Sequence, residues 1–197
     1  MQFKTKGRSK DSFRLSTNGF LIIDEVFKLS KIGTIKVIQA RAFIGIPKSI
    51  TVSRNSANQY FVSILVQTEV ELKQNTGRAI GIDLGLNHLA VLSNGIKIEN
   101  PRVFRENQTK LKRAQQHLSR KQKGGNRYLK QKLKVAKIHL NISNQRNHHL
   151  HVLSSWLVSN YDHIFMESLN VKGMVKNHKL AKSINDASFG ELTRQIE

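Results

Sequence analysis

Over the first third of the chain the apolar residues come in short runs bounded by polar and turn-forming residues, which is the pattern of β-structure. The clearest runs are Phe20 to Ile23, Thr34 to Ile38, Ser49 to Val52 and Tyr60 to Val66. In the last of these, YFVSILV, Phe61, Ser63 and Leu65 fall on one face and Tyr60, Val62, Ile64 and Val66 on the other, after a turn at Ser56, Ala57 and Asn58. The pattern predicts a small β-barrel-like unit over 1–75, with TEVELKQNTG (68–77) as a polar connector at its end.

From Arg78 the pattern changes. Ile80, Ile82 and Leu84 mark a buried strand, His88 to Leu92 a second, and Asn94-Gly95 a two-residue hairpin turn into a third, Ile96 to Ile98. Phe104, Leu111, Ala114 and Leu118 then keep helical spacing up to Gly124-Gly125, where the helix breaks. Beyond the glycines Leu129, Leu133, Ala136 and Leu140 repeat at helical intervals, and Leu150, Leu153 and Leu157 resume the stripe, so the second helix is long. A last buried strand, Ile164 to Met166, ends at Glu167. Strands, a helical pair and a further strand predict an α/β domain with a mixed sheet over 78–197 and helices over about 102–158.

Charge changes this picture more than length does. The chain has 197 residues, a formal net charge of +20, two prolines and no cysteine. Residues 101–150 hold fourteen basic side chains against one acidic, Glu106, so thirteen of the twenty net charges sit on the helical pair. A solvated helix face normally mixes signs to limit repulsion, and this one does not. It favours a polyanionic partner, nucleic acid before an anionic membrane, with a plain solvated surface as the alternative. The missing cysteines exclude a disulfide framework, a cysteine nucleophile and a Cys-containing zinc site within the sequence. No apolar stretch approaches the roughly 20 residues that span a bilayer, and the N-terminus MQFKTKGRSKDSF is too polar for a signal peptide.

Two carboxylates stand out against this background. Asp83 interrupts an apolar strand between Ile82 and Leu84, and Glu167 ends IFM. If the two strands are neighbours, both acids converge on one edge of the sheet and offer oxygen ligands to a hard divalent ion, as phosphodiester hydrolysis requires. The alternative is local: Asp83 caps the turn at Gly85, and Glu167 pairs with a nearby lysine.

GIDLGLNHLAVLSNG, LKRAQQHLSRKQKGGNRYLKQKLKVAKIH and IFMESLNVKGMVKNHKLAKSINDASFGEL occur in this order and resemble the TnpB (OrfB) proteins encoded by bacterial insertion sequences. KIGTIKV and KSITVSR extend the likeness upstream. The resemblance implies a guide-RNA-directed DNA endonuclease, with a wedge-type β-barrel followed by a RuvC-like domain of RNase H fold. It implies that Asp83 and Glu167 are the first and second catalytic carboxylates and hold Mg²⁺, and that DNA and guide RNA are the partners, in a bacterial or archaeal cytoplasm. Lys110, Lys112, Arg113, Arg120, Lys121, Lys123, Arg127, Lys130, Lys132, Lys134 and Lys137 would contact phosphates without reading sequence. The family pattern continues with a four-cysteine zinc ribbon and a third acid. Neither is in this sequence, so the resemblance implies a truncated middle portion with a partial RuvC-like sheet, no zinc, and cleavage by this chain left open. A non-catalytic nucleic-acid-binding relic or repressor-like relative is the competing reading.

Other candidates read as structural. His148, His149 and His151 suit a polar helix surface better than a metal site, and Trp156 fits the core stripe of Leu153 and Leu157 better than a base-stacking platform. Asp162 and Asp186 are not substitutes for the third acid. Gly173 and the basic run Lys176 to Lys182, by contrast, read as a loop near the site that could touch nucleic acid.

Overall fold

The computed structural model describes residues 11–39, 42–69 and 74–197. The first ten residues of the polar N-terminus and residues 70–73 of the expected connector lie outside the described residues. The chain divides into two compact units, 1–72 and 73–197.

The first unit holds two antiparallel sheets of three strands each. One joins β1 (Asp11–Ser16), β5 (Ile46–Arg54) and β6 (Tyr60–Gln67) in the order β1-β5-β6, and the other joins β2 (Phe20–Ile23), β3 (Val26–Leu29) and β4 (Gly33–Lys36) in sequence order. Phe27, Leu29 and Ile50 are buried between them, with Val52, Val62 and Ile64 packed alongside, so side chains of both sheets share one core. The alternation in YFVSILV is realised as expected: Phe61 and Leu65 are exposed, and Val62 and Ile64 face the core. The barrel is not. Among the described residues the two sheets stay separate and do not close, because each ends on a strand with a single partner.

The second unit is a mixed α/β layer. Strands β7 (Ala79–Leu84), β8 (His88–Leu92) and β9 (Lys97–Glu99) form an antiparallel meander. At Gly95, φ is +87°, and the Leu92 and Ile96 backbones pair across the Asn94-Gly95 turn. Strand β10 (His163–Met166) lies parallel to β7 on its other side, giving the order β10-β7-β8-β9. Between β9 and β10 the chain forms α1 (Val103–Ser119) and the 35-residue α2 (Asn126–Asn160). Three shorter helices follow, α3 (Val171–Met174), α4 (Ala181–Ala187) and α5 (Phe189–Ile196).

One face of the sheet is covered. Ile80, Ile82, Leu84, Ala90 and Leu92 pack against Leu150, Leu153 and Leu157 of α2 and Phe189 and Leu192 of α5. A second, smaller core joins Val103, Leu111 and Ala114 of α1 to Val135, Ile138 and Ile142 of α2. The stripe that seals this helical pair is therefore Gln131, Val135, Ile138 and Ile142, where the Gln131 side chain donates to the Ala114 carbonyl. The expected stripe of Leu129, Leu133, Ala136 and Leu140 lies roughly opposite at 100° per residue, and Leu129 is 53% exposed. Helix α2 is apolar on two sides along this stretch, and periodicity alone does not say which side the partner takes. Trp156 is a further correction. It stays 38% exposed, edge-on to Tyr161 at 6.0 Å, because Leu153 and Leu157 already fill the contact with the sheet.

Asp162 fastens the start of β7. Its carboxylate accepts hydrogen bonds from the backbone N–H and hydroxyl of Thr76 and from the N–H of Arg78, while Asp162 and His163 donate to the Arg78 carbonyl. Asp162→Ala should lower stability by about 1.5–3 kcal/mol, the range for hydrogen bonds to a charged group. A thermal melt checks this, and an unchanged midpoint would remove the fastening role.

Candidate functional site

The strand register sets the level of the two carboxylates. Met166 of β10 pairs with Ile82 of β7, so the next residues along these parallel strands are Glu167 and Asp83. Adjacent strands lie about 4.8 Å apart, and residues at one level of a parallel pair point to the same face. Ile80, Ile82 and Leu84 point into the core, so Asp83 stands on the opposite, open face with Gly81 and Val91. On β10 Phe165 takes that face and is 66% exposed; the strand ends at Met166, and Glu167 follows it directly. Both carboxylates are exposed.

Neither acid has a hydrogen bond or ion pair with any described residue, which argues against the local alternatives. The N–H of Gly85 bonds to the Leu89 carbonyl, so the turn has no need of Asp83 as a cap. Glu167 borders a hollow of about 610 Å³ with Asp162, Arg194 and Glu197. Arg194 is engaged elsewhere, 2.6 Å from Glu191. Its hydrogen bond, with help from Gln195, holds the Glu191 carboxyl down at about 2. The two acids thus remain available to a ligand, and two carboxylates at one level are a fitting part of a donor set for a hard divalent ion. A third donor is not brought to them: among the described residues no group of three His, Asp or Glu side chains could hold a metal.

The histidines of α2 do not form a site either. His148 and His151 are exposed, and His149 is half-buried with its Nε2 enclosed and unpaired. Asp186 has a structural task, accepting from the backbone N–H groups of Phe104 and Arg105 and so capping α1. Its position one turn into α4 was not legible from the polar segment around it. Lys176 and Lys179 lie in the turns after α3, whereas Lys182 belongs to α4.

The eleven cations all lie on the helical pair and its connection. Lys110, Lys112 and Arg113 are on α1, Arg120, Lys121 and Lys123 in the turn, and Arg127, Lys130, Lys132, Lys134 and Lys137 on α2. All but the half-buried Lys121 are exposed, and none is in an ion pair with a described residue. The structure sorts them. Lys110, Arg113 and Lys134 line one groove of about 700 Å³ between the helices, with His117 and Glu106. Helical spacing adds Arg127, Lys130 and Lys137 to the Lys134 side, while Lys112 and Lys132 face elsewhere. Among the described residues no helix is long and apolar enough to cross a membrane.

A family model described as a probable transposase, OrfB of the IS605 kind, matches residues 62–178. A protein of Streptomyces pristinaespiralis is 40% identical over 151 residues, covering 77% of this chain and 38% of its own length. One of Escherichia coli (strain K12) is 32% identical over 213 residues, covering 99% and 52%. One of Mycobacterium tuberculosis (strain H37Rv) is 26% identical over 221 residues, covering 99% and 47%. All three bear the name "Putative RNA-guided DNA endonuclease", the second with the addition InsQ. The chain spans about half the length of these relatives, or less.

Proposed function

This chain belongs to the OrfB (TnpB) family of probable transposases, and from that premise we propose that its second unit is the RuvC-like part of an RNA-guided DNA endonuclease. The observation that carries the reading is the register: Met166 pairs with Ile82 on neighbouring parallel strands, and the residue after each is an exposed acid, Glu167 and Asp83, without a protein partner among the described residues. The mixed order β10-β7-β8-β9, with β10 parallel to β7, supports the RNase H-like comparison.

In this reading Asp83 and Glu167 hold Mg²⁺, and the covered face behind them keeps the strands rigid. When bound, the ion supplies a water of lowered pKa and screens the charge that gathers on the phosphate during hydrolysis. The protein's share is positional. Ile82, buried in the core, and Met166, packed against it, anchor the residues that precede the two carboxylates. The groove cations Lys110, Arg113 and Lys134 hold the phosphates of guide, heteroduplex or displaced strand, and release counterions on doing so. Guide pairing supplies the sequence specificity.

The test is incubation of the chain with guide RNA, matched DNA and Mg²⁺, beside the same mixture in EDTA. Cleavage confined to the Mg²⁺ arm is the expected result. Equal, background-level products in both arms would leave this chain as a binding protein.

A further inference from the structure

A second cationic site lies apart from the helical groove. A hollow of about 610 Å³ beyond the end of β7 is lined by Arg102, Arg105 and Lys182, together with Leu86, Asn100 and Asp186. The three cations come from three segments: the link after β9, the first turn of α1, and α4. No carboxylate oxygen of a described residue is within ion-pair distance of any of them. Asp186, the acid of this hollow, spends its oxygens on the backbone N–H groups of Phe104 and Arg105, at 2.9 and 3.3 Å. A neighbouring hollow brings Glu99 and Glu106 near the arginines, also without an ion pair.

All three side chains are exposed, and two of the three residues are held in place. Arg102 has φ +46° and ψ +40°, a left-handed conformation that disfavours a side chain with a Cβ. Asn100 holds it there: its Oδ1 accepts from the Arg102 N–H at 3.2 Å, and its Nδ2 donates to the Leu86 carbonyl at 3.1 Å. Glycine would sit at this point with less strain, yet the chain keeps a guanidinium on it. Lys182 donates to Gln108 and lies 5.6 Å from the centre of the Phe104 ring, so its ammonium is held over α1 with its charge uncancelled. Leu86 is three residues past Asp83, at most about 10 Å along an extended chain.

We propose that Arg102, Arg105 and Lys182 form a phosphate-binding site for the backbone of a DNA strand, a few nucleotides from the phosphodiester presented to Asp83 and Glu167. Planar guanidinium forks suit a phosphate's oxygens, and the ammonium adds a point charge. The site positions the strand and touches no base. Its placement beside a cleavage centre rests on the nuclease reading above; its phosphate binding does not.

The test is binding of a fluorescent 20-nucleotide single-stranded DNA, followed by anisotropy across a sodium chloride series in EDTA, where no cleavage occurs. The variants are R102G, which suits the left-handed backbone, R105Q, and K182Q, which keeps a partner for Gln108. Loss of all three charges should make the slope of log K against log salt shallower by about 2, roughly 0.7 per phosphate contact on a single strand. At about 0.1 M salt, affinity should fall at least ~10-fold. R102G alone should shift the slope by about 0.7, and K97Q, on β9, should shift nothing. Coincident thermal melts exclude unfolding as the cause. An unchanged slope in the triple variant, or no DNA binding by the parent chain, overturns the site. A shifted slope in a protein that never cleaves keeps the site and removes the nuclease reading.

Discussion

Asp83→Asn should reduce Mg²⁺-dependent DNA cleavage by about 10³-fold or more and leave strand affinity in EDTA unchanged. The substitution keeps the shape of the side chain and removes its charge. Metal-centred stabilisation of a phosphoryl transition state is worth several kcal/mol, and about 4 kcal/mol corresponds to a thousandfold in rate. Glu167→Gln should do the same, because in the proposed reading both carboxylates share one ion. The double variant should be little worse than either single one, since groups that act as a unit lose their effect together. A direct measurement of Mn²⁺ binding by titration separates this from structural damage: each variant should weaken it, while thermal melts stay coincident. Full cleavage or undiminished Mn²⁺ affinity in Asp83→Asn would remove the carboxylate pair from the chemistry.

Leu157→Ala should have the largest effect on stability. Leu157 is fully buried between the sheet and α5, within the core of Ile80, Ile82, Leu153 and Phe189. A leucine-to-alanine change at such a site costs about 3–5 kcal/mol, from lost transfer energy and the cavity left behind. The melting midpoint of the second unit should fall by about 10 °C or more. Leu133→Ala, on the half-exposed side of α2, should cost under about 1 kcal/mol because water already reaches it. Circular dichroism melts of both variants decide the matter. Equal losses would mean that the outer stripe is covered as well.

This contrast also shows where the sequence is legible. Strands β7 to β10 were readable because short apolar runs ended at strong turn signals, Asn94-Gly95 above all, and the open-face position of Asp83 follows from the core residues on either side of it. The break at Gly124-Gly125 was readable for the same reason. The side of α2 that meets α1 was not, because apolar residues fall on both sides and only the shape of Leu111 and Ala114 selects Val135, Ile138 and Ile142. Strand β1, DSFRLS, carries only two apolar residues, and β3, α4 and α5 are short with cores supplied by distant residues, so their local patterns did not stand out. Of the proposed phosphate site only Lys182 stood out in the sequence, as the end of the basic run Lys176 to Lys182, and nothing joined it to the arginines. Arg102 and Lys182 are eighty residues apart, and they are brought together by the Asp186 cap on α1.

Helix α2 runs through two separate cores, and this predicts how the domain breathes. At about 1.5 Å per residue it is roughly 52 Å long. Among the described residues its first half packs on α1 through the small core around Ile138, and its second half packs on the sheet. Amide protection should therefore step down along one continuous helix. Amides near Leu153 should exchange only on global unfolding, and those near Lys134 through a local opening of lower free energy. The cationic arm can in this way loosen and re-dock on a polymer while the strands that carry the two acids stay folded.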